Sequence, residues 1–173
     1  LRELAVRLGA DVPFFVCGGT ALGLDRGDEI YPLEDLGRWS VVLVFPPFGV
    51  STPEAFRWYD EEGSGAGASA VGVVPLAGGV DLAVANDLQG PVARRHPEIE
   101  ATCRQLTEAG ADAAAMTGSG STVFGLFSRA ERAIAAAAAL EAAGNRVIVT
   151  RTATRRQARA AVRLVWTRGS RIH

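Results

Sequence analysis

Apolar residues recur along this chain at spacings typical of helices in some segments and of strands in others. Leu1–Leu8 has helical spacing, and Gly9 then suits the end of a helix. Residues 20–33 predict a β-hairpin with its turn at 25–28. The unbroken apolar run Val41–Val44 predicts a strand that is covered on both faces.

The pattern further along the chain predicts helices and strands in turn. Thr52, followed by Pro53 and an acid, predicts a helix that is capped by the Thr52 hydroxyl and ends near Glu62. Residues 63–72, rich in Gly, Ser and Ala, predict a mobile loop. The remaining predicted elements are helices over 81–95, with a break near 90–91, and over 97–109, strands at 113–116, 122–127 and 146–151, and a helix that opens with a capping box at 128–131.

From residue 39 the predicted order is strand, helices, strand, strand, helix, strand. This is the order of the split βαβ, or ferredoxin-like, arrangement, with helices on one face of the sheet. The predicted fold class is therefore α/β, in the form of an α+β two-layer domain. We expect three regions, namely 1–38, a domain over 39–152 and a basic tail over 153–173.

Composition and charge narrow the class of protein. The chain is 48% hydrophobic and 21% charged, enough for one core or one core plus a remnant of another, and all 18 basic residues are arginine. Eight of those arginines lie in residues 145–173, which contain no acid. That tail could contact nucleic acid, but no aromatic residues alternate with its arginines, which favours a solvated helix or frayed terminus instead.

The cysteine and histidine content predicts no metal site. Cys17 and Cys103 lie far apart, and the other nitrogen or sulfur ligands are His96 and His173. Both cysteines lie in apolar surroundings, which predicts buried thiols and a cytoplasmic protein. The apolar run Ala133–Leu140 is far shorter than the roughly 20 residues needed to span a bilayer. Because the chain starts inside a predicted helix, without Met or a signal peptide, we expect it to be truncated at its N-terminus.

Asp11 is the first candidate for chemistry. It lies in a predicted turn, two residues before Pro13, which suits the first turn of a short helix. One interpretation is an N-cap that accepts backbone N–H groups. The other is a carboxylate that those groups keep ionised, and that can accept a proton from a substrate hydroxyl.

A glycine-rich segment between two predicted strands is the second candidate. It consists of Thr117, Gly118, Ser119, Gly120, Ser121 and Thr122. Its N–H and hydroxyl groups could cradle phosphate oxygens, or could simply close a tight connection between strands. A dinucleotide fingerprint would need glycine where Val123 stands, a Walker A loop would need lysine, and a nucleophile elbow centred on Ser119 would need glycine where Thr117 and Ser121 stand.

Three sequence blocks together resemble one enzyme family. They are Gly9–Phe15 (GADVPFF), Pro46–Pro53 (PPFGVSTP) and Met116–Phe124 (MTGSGSTVF). In this order they are similar to the 4-diphosphocytidyl-2-C-methyl-D-erythritol kinase family of the GHMP kinase superfamily. The resemblance runs from residue 1 to about residue 150 and covers only the second half of the family's length.

The resemblance implies the GHMP kinase fold, with 1–38 as the end of its N-terminal domain and 39–152 as its C-terminal domain. It implies ATP-dependent phosphorylation of the substrate's 2-hydroxyl, in the non-mevalonate route to isoprenoids, with ATP and Mg²⁺ as cofactors. Asp11 matches the family's catalytic base, and Thr52 and Phe56 match positions near the cytidine. Residues 117–122 match the loop that closes over the phosphates.

The resemblance leaves two alternatives open. The chain lacks the family's ATP loop and N-terminal lysine, so by itself it could be a substrate-binding fragment without turnover. The parent could also be another GHMP kinase, acting on mevalonate-like or amino-alcohol substrates. Asn86–Leu88 fits the family pattern, but we interpret it as a helix-capping pair without a chemical role. No particular oligomeric state is predicted from the sequence.

Overall fold

The computed structural model describes residues 2–24, 27–62 and 84–161, with side chains from Leu4 onward. These residues divide into two compact units. The first takes in the described residues of Leu1–Arg38 and of Thr152–His173, and the second is Trp39–Arg151. The predicted mobile loop at 63–72 and the end of the predicted tail, from residue 162, lie outside the described residues.

The elements follow the predicted order. The first unit contains α1 (Arg2–Leu8), α2 (Val12–Cys17), β1 (Ala21–Leu24), β2 (Glu29–Pro32) and a helical stretch at 155–161. The second contains β3 (Ser40–Phe45), α3 (Thr52–Glu61), α4 (Gln89–Arg95), α5 (Glu98–Glu108), β4 (Ala113–Met116), β5 (Val123–Phe127), α6 (Ala130–Ala142) and β6 (Arg146–Arg151). Among the described helices, none is both long enough and apolar enough to cross a membrane.

The second unit is a four-stranded antiparallel sheet with strand order β4-β5-β3-β6. This is the strand order of a ferredoxin-like domain, so the predicted two-layer architecture is confirmed. Helices α5 and α6 pack on the sheet, and Val42 and Val44 of the central strand are fully buried beneath them. Val41 and Leu43, on the other face, are half-buried.

The start of α4 differs from the prediction. Residues 84–88 form coil and a turn, so the helix predicted from residue 81 is wrong over that stretch. The late start of the helix is explained by the Asn86 side chain, which accepts the Leu88 N–H at 3.0 Å and so holds a turn before the helix. The predicted break is also absent, because Pro91 falls in the first turn of α4, where a missing N–H costs no helical hydrogen bond.

The predicted capping box at 128–131 is wrong as well. Arg129 is the N-cap of α6, and its side chain makes no capping hydrogen bond. The Ser128 N–H instead donates to Asp112 Oδ2 at 2.6 Å. The helix begins at the predicted place for a different reason, since Ser128 is tied to the loop before β4.

In the first unit the β1–β2 hairpin pairs as predicted, and Cys17, like Cys103 of the second unit, is buried. The start of the predicted basic tail is not a free terminus. The Arg155 guanidinium donates to the carbonyls of Gly18, Thr20 and Leu33. The expectation of a solvated helix or frayed end is therefore wrong for Arg155.

Asp35 completes the attachment of Arg155 to the hairpin. Its carboxylate accepts the Arg155 backbone N–H at 2.9 Å and the Thr20 N–H at 3.2 Å. The Arg155 hydrogen bond is the largest cause that holds the pKa of Asp35 below its ordinary value, against a smaller opposing effect of desolvation. The ionised carboxylate is therefore the form that the fold favours.

We expect Asp35→Asn to destabilise the protein at neutral pH, because the amide accepts these N–H groups more weakly than the carboxylate does. Since the pKa is lower in the folded than in the unfolded state, this stabilisation is present above the unfolded value. It is lost as the pH falls through the folded value. Urea unfolding at several pH values, with exposed Glu34→Gln as control, should show parent and variant converging below about pH 4. A difference that stays constant at all pH values would contradict this assignment.

Candidate active site

The glycine-rich connection between β4 and β5 forms a closed turn. The Thr117 N–H donates to the Thr122 carbonyl at 2.9 Å, and the Gly120 N–H donates to the Thr117 carbonyl at 3.1 Å. Gly118 and Gly120 have φ of 58° and 90°, in the left-handed region that favours glycine. The two glycines therefore allow the chain to reverse within these few residues.

This turn leaves backbone donors available. Within the described part of the chain, the N–H groups of Gly118, Ser119 and Ser121 make no hydrogen bond. Thr117 and Gly118 are exposed, and Ser119 is half-buried. Free N–H groups gathered on a glycine-rich turn form a concave site that suits phosphate oxygens.

The hydroxyl groups of this turn have different roles. The Ser121 hydroxyl is buried and donates to the carbonyl of Phe48, in the loop after β3. The Ser119 hydroxyl lies 3.0 Å from the Thr52 hydroxyl at the start of α3. Ser121 therefore anchors the turn, while Ser119 and Thr52 form a polar pair that a ligand could share.

Thr52 is not the N-cap that the sequence predicted. Ser51 is the cap of α3, and its hydroxyl oxygen accepts the Glu54 N–H at 3.4 Å. Its hydroxyl group also donates to Glu54 Oε2 at 2.6 Å, which is the main cause that lowers the pKa of Glu54. Because Ser51 takes the capping role, the Thr52 side chain is available to Ser119.

Phe56 lies one turn further along α3 and is 51% exposed. Residues four apart on a helix lie on the same face, so its ring is on the side of α3 that carries Thr52. An exposed ring beside hydroxyl groups can stack on a flat heterocycle. The structure thus brings Thr52 together with residues 117–122, and Phe56 follows on the same helix.

The end of α3 is attached to α4 by ion pairs and ring contacts. Arg94 and Arg95 pair with Glu62, and the Arg95 guanidinium lies over the Trp58 ring, 4.9 Å from its centroid. The His96 ring stacks on Phe48, with centroids 4.4 Å apart. These contacts fix α3 and the loop after β3, and hence the position of Thr52.

The side chains of Asn86 and Gln89 hold the end of β4, a contact that was not predicted from the sequence. Asn86 Nδ2 donates to the Met116 carbonyl at 2.9 Å, and Gln89 Oε1 accepts the Met116 N–H at 2.8 Å. Met116 is the residue directly before the glycine-rich connection. The only sequence signal for this contact was the Asn-Asp pair before a helix, which is also typical of ordinary caps.

Asp11 lies in the first unit, just before α2. Its side chain is exposed and makes no capping hydrogen bond, so the N-cap interpretation is wrong. The neighbouring Gly9 and Ala10 leave the carboxylate accessible. Among the described residues, no group of three or more His, Cys, Asp or Glu side chains could hold a metal ion.

Comparison with known proteins identifies the family of these residues. A family model described as GHMP kinases C terminal matches residues 75–146. The 4-diphosphocytidyl-2-C-methyl-D-erythritol kinase of Deinococcus radiodurans is 42% identical over 142 residues, which are 81% of this chain and 48% of that protein. The kinase of the same name from Pelotomaculum thermopropionicum is 39% identical over 88% of this chain and 55% of its own length.

Solved structures agree. A crystal structure of 4-(cytidine 5'-diphospho)-2C-methyl-D-erythritol kinase matches 87% of this chain and 56% of its own, with a TM-score of 0.72 and 34% identity. A homoserine kinase from Cytophaga hutchinsonii, at 15% identity and a TM-score of 0.50, shares the fold. The chain thus spans about half the length of the relatives it matches. The resemblance seen in the three sequence blocks is confirmed.

The two glycines of the turn predict different responses to substitution. A Cβ on Gly120 would lie 2.7 Å from Sδ of the buried Met116, whereas a Cβ on Gly118 would meet nothing within 4 Å. We expect Gly118→Ala to cost about 1 kcal/mol of unfolding free energy from its positive φ. Gly120→Ala should cost about 2–4 kcal/mol, because overpacking adds to the same strain. Denaturant unfolding measures both, and equal losses would show that the Met116 contact is unimportant.

Proposed function

Because the chain belongs to the GHMP kinase superfamily and its residues 75–146 match the model of the C terminal of these kinases, we propose that the protein containing it is an ATP-dependent kinase. The substrate is 4-diphosphocytidyl-2-C-methyl-D-erythritol, and the phosphoryl group is transferred to its 2-hydroxyl. The observation that supports this most is the glycine-rich turn with its free N–H groups, held beside Thr52 at the start of α3. The free, buried thiols of Cys17 and Cys103 agree with a cytoplasmic enzyme.

The glycine-rich turn serves as a phosphate cradle. Phosphoryl transfer depends mainly on positioning and on neutralising charge, and backbone N–H groups do both without a charged side chain. The N–H groups of Gly118, Ser119 and Ser121 donate to phosphate oxygens of ATP, with the Ser119 hydroxyl as a further donor. Mg²⁺ would arrive bound to the nucleotide, because it commonly keeps few protein ligands, and it would supply positive charge that neutralises the phosphates.

Asp11 is the proton acceptor. Its exposed carboxylate makes no capping hydrogen bond and is flanked by small residues, so a substrate hydroxyl can approach it. When the hydroxyl oxygen attacks the γ-phosphorus, its proton passes to the carboxylate. ADP leaves with the electron pair of the broken bridging P–O bond.

Thr52 and Phe56 bind the cytidine end of the substrate. The exposed Phe56 ring stacks on cytosine, while the Thr52 hydroxyl, shared with Ser119, links α3 to the phosphate cradle. Helix α3 therefore binds the nucleobase and also contacts the glycine-rich turn. Other GHMP kinases that act on amino alcohols or mevalonate-like substrates would need no such ring.

Asp11→Asn in the complete protein should lower kcat at least about 100-fold, because the amide cannot accept the proton. KM for the diphosphocytidyl substrate should change little, since the side chain keeps its size. Asp60→Asn, an exposed aspartate on α3, is the matched control and should keep the parent's kcat. A coupled assay of ADP release measures all three proteins. If Asp11→Asn retains more than half of the parent's kcat, Asp11 is not the proton acceptor.

Phe56→Ala should raise KM for the diphosphocytidyl substrate about tenfold, because a ring that stacks on a base is lost. KM for ATP should not change. Phe56→Tyr keeps an aromatic ring and should stay within about twofold of the parent. If Phe56→Ala affects ATP instead, or affects neither substrate, α3 does not bind the nucleobase.

A further inference from the structure

Strand β4 lies at the edge of the sheet, yet both backbone groups of its last residue are hydrogen bonded. The partners of Met116 on that side are the side chains of Asn86 and Gln89. No further strand of the described residues pairs with β4 there. The two side chains therefore act in place of a neighbouring strand, at the point where β4 becomes the glycine-rich turn.

Asn86 also reaches into the turn itself. Its Nδ2 donates a second hydrogen bond to the Gly118 carbonyl at 2.8 Å, while its Oδ1 accepts the Leu88 N–H at 3.0 Å. Both hydrogens and the oxygen of the Asn86 side-chain amide therefore have hydrogen-bond partners. One planar side-chain group fixes two carbonyls of the connection, those of Met116 and Gly118, relative to the turn before α4.

The contact to Gly118 determines the direction of a backbone donor. In a trans peptide unit the carbonyl and the following N–H point in opposite directions, and the Gly118–Ser119 bond is trans. Because the Gly118 carbonyl is directed at Asn86, the Ser119 N–H is directed away from Asn86. That N–H has no partner among the residues that the structure describes.

We propose that Asn86 is a positioning residue for phosphoryl transfer, with Gln89 in support. By holding the Gly118 carbonyl, it keeps the Ser119 N–H aimed at a phosphate oxygen of the nucleotide. The inference rests on the proposed function, because it assigns Asn86 to the same phosphate cradle. It replaces the interpretation of Asn86–Leu88 as a pair that only caps a helix.

The substitution Asn86→Asp distinguishes a positioning role of Asn86 from a role in capping the helix alone. Aspartate keeps a side-chain oxygen for the Leu88 N–H and so preserves the cap, but it offers no donor to the two carbonyls. Asn86→Ala removes the same donors without adding a charge. The matched control is Asn145→Ala, because Asn145 Nδ2 also donates to a backbone carbonyl, that of Leu140 at 3.1 Å, at the end of α6.

The experiment combines kinetics with hydrogen exchange on the complete protein, using ATP and the diphosphocytidyl substrate. Asn86→Asp and Asn86→Ala should both lower kcat about 10- to 100-fold, the loss expected from a displacement of about 1 Å. Both should speed amide exchange in the peptide that covers 117–122. Asn145→Ala should change neither. If the Asn86 variants keep the parent's kcat and exchange rates, the inference is wrong and Asn86 is a cap.

Two further outcomes are distinguishable. If the parent shows no kinase activity, the proposed function fails, and exchange in 117–122 alone decides whether Asn86 holds the turn. If the Asn86 variants do not fold, as judged by circular dichroism, Gln89→Met and Gln89→Glu take their place. Gln89→Met removes the acceptor for the Met116 N–H and should lower kcat, whereas Gln89→Glu keeps an acceptor oxygen and should retain it. Equal kcat for both would overturn the inference.

Discussion

The shape of the glycine-rich turn depends on hydrogen bonds that reach the edge of the sheet from outside it. An edge strand presents N–H and C=O groups on the side that faces away from the sheet, and there they have no strand to pair with. Here the side chains of Asn86 and Gln89 supply both partners of Met116. The backbone leaves the sheet in a fixed direction, so its free N–H groups can be organised before a ligand binds.

The sheet register explains why two distant sequence blocks meet. Val123, the first residue of β5, pairs with Val44 near the end of β3 and with Met116 at the end of β4. The loop after β3 and the turn between β4 and β5 therefore lie at the same end of the sheet. The Ser121 hydroxyl then bonds the Phe48 carbonyl, and Thr52 meets Ser119. A buried antiparallel ladder thus positions the chemical groups, while loops carry them.

Much of this architecture could be predicted from the sequence because its elements are locally encoded. The run Val41–Val44, rich in β-branched residues, predicts a strand, and the helical spacing of Ile99, Cys103 and Leu106 predicts α5, in each case from a few neighbouring residues. Two of the errors arose where a distant partner decides. Ser128 is bonded to Asp112, and Arg155 is bonded to carbonyls of the first hairpin, so neither contact follows from neighbouring residues.

The candidate site shows the same division. The glycine spacing predicted a turn whose backbone a ligand can approach closely, and the block around Thr52 predicted the start of a helix. The Thr52–Ser119 contact and the bonds from Asn86 join residues at least thirty positions apart, and only the folded chain reveals them. Asp11, by contrast, was predicted to be either a helix cap or a base, and in the structure its side chain makes no capping hydrogen bond.

The most direct measurement is phosphorus NMR of the complete protein incubated with ATP and 4-diphosphocytidyl-2-C-methyl-D-erythritol. ADP and a new phosphomonoester signal should appear in equal amounts, with no transfer to the methylerythritol phosphate that lacks the cytidyl group. Absence of the phosphomonoester, or equal transfer to both compounds, would contradict the proposed function.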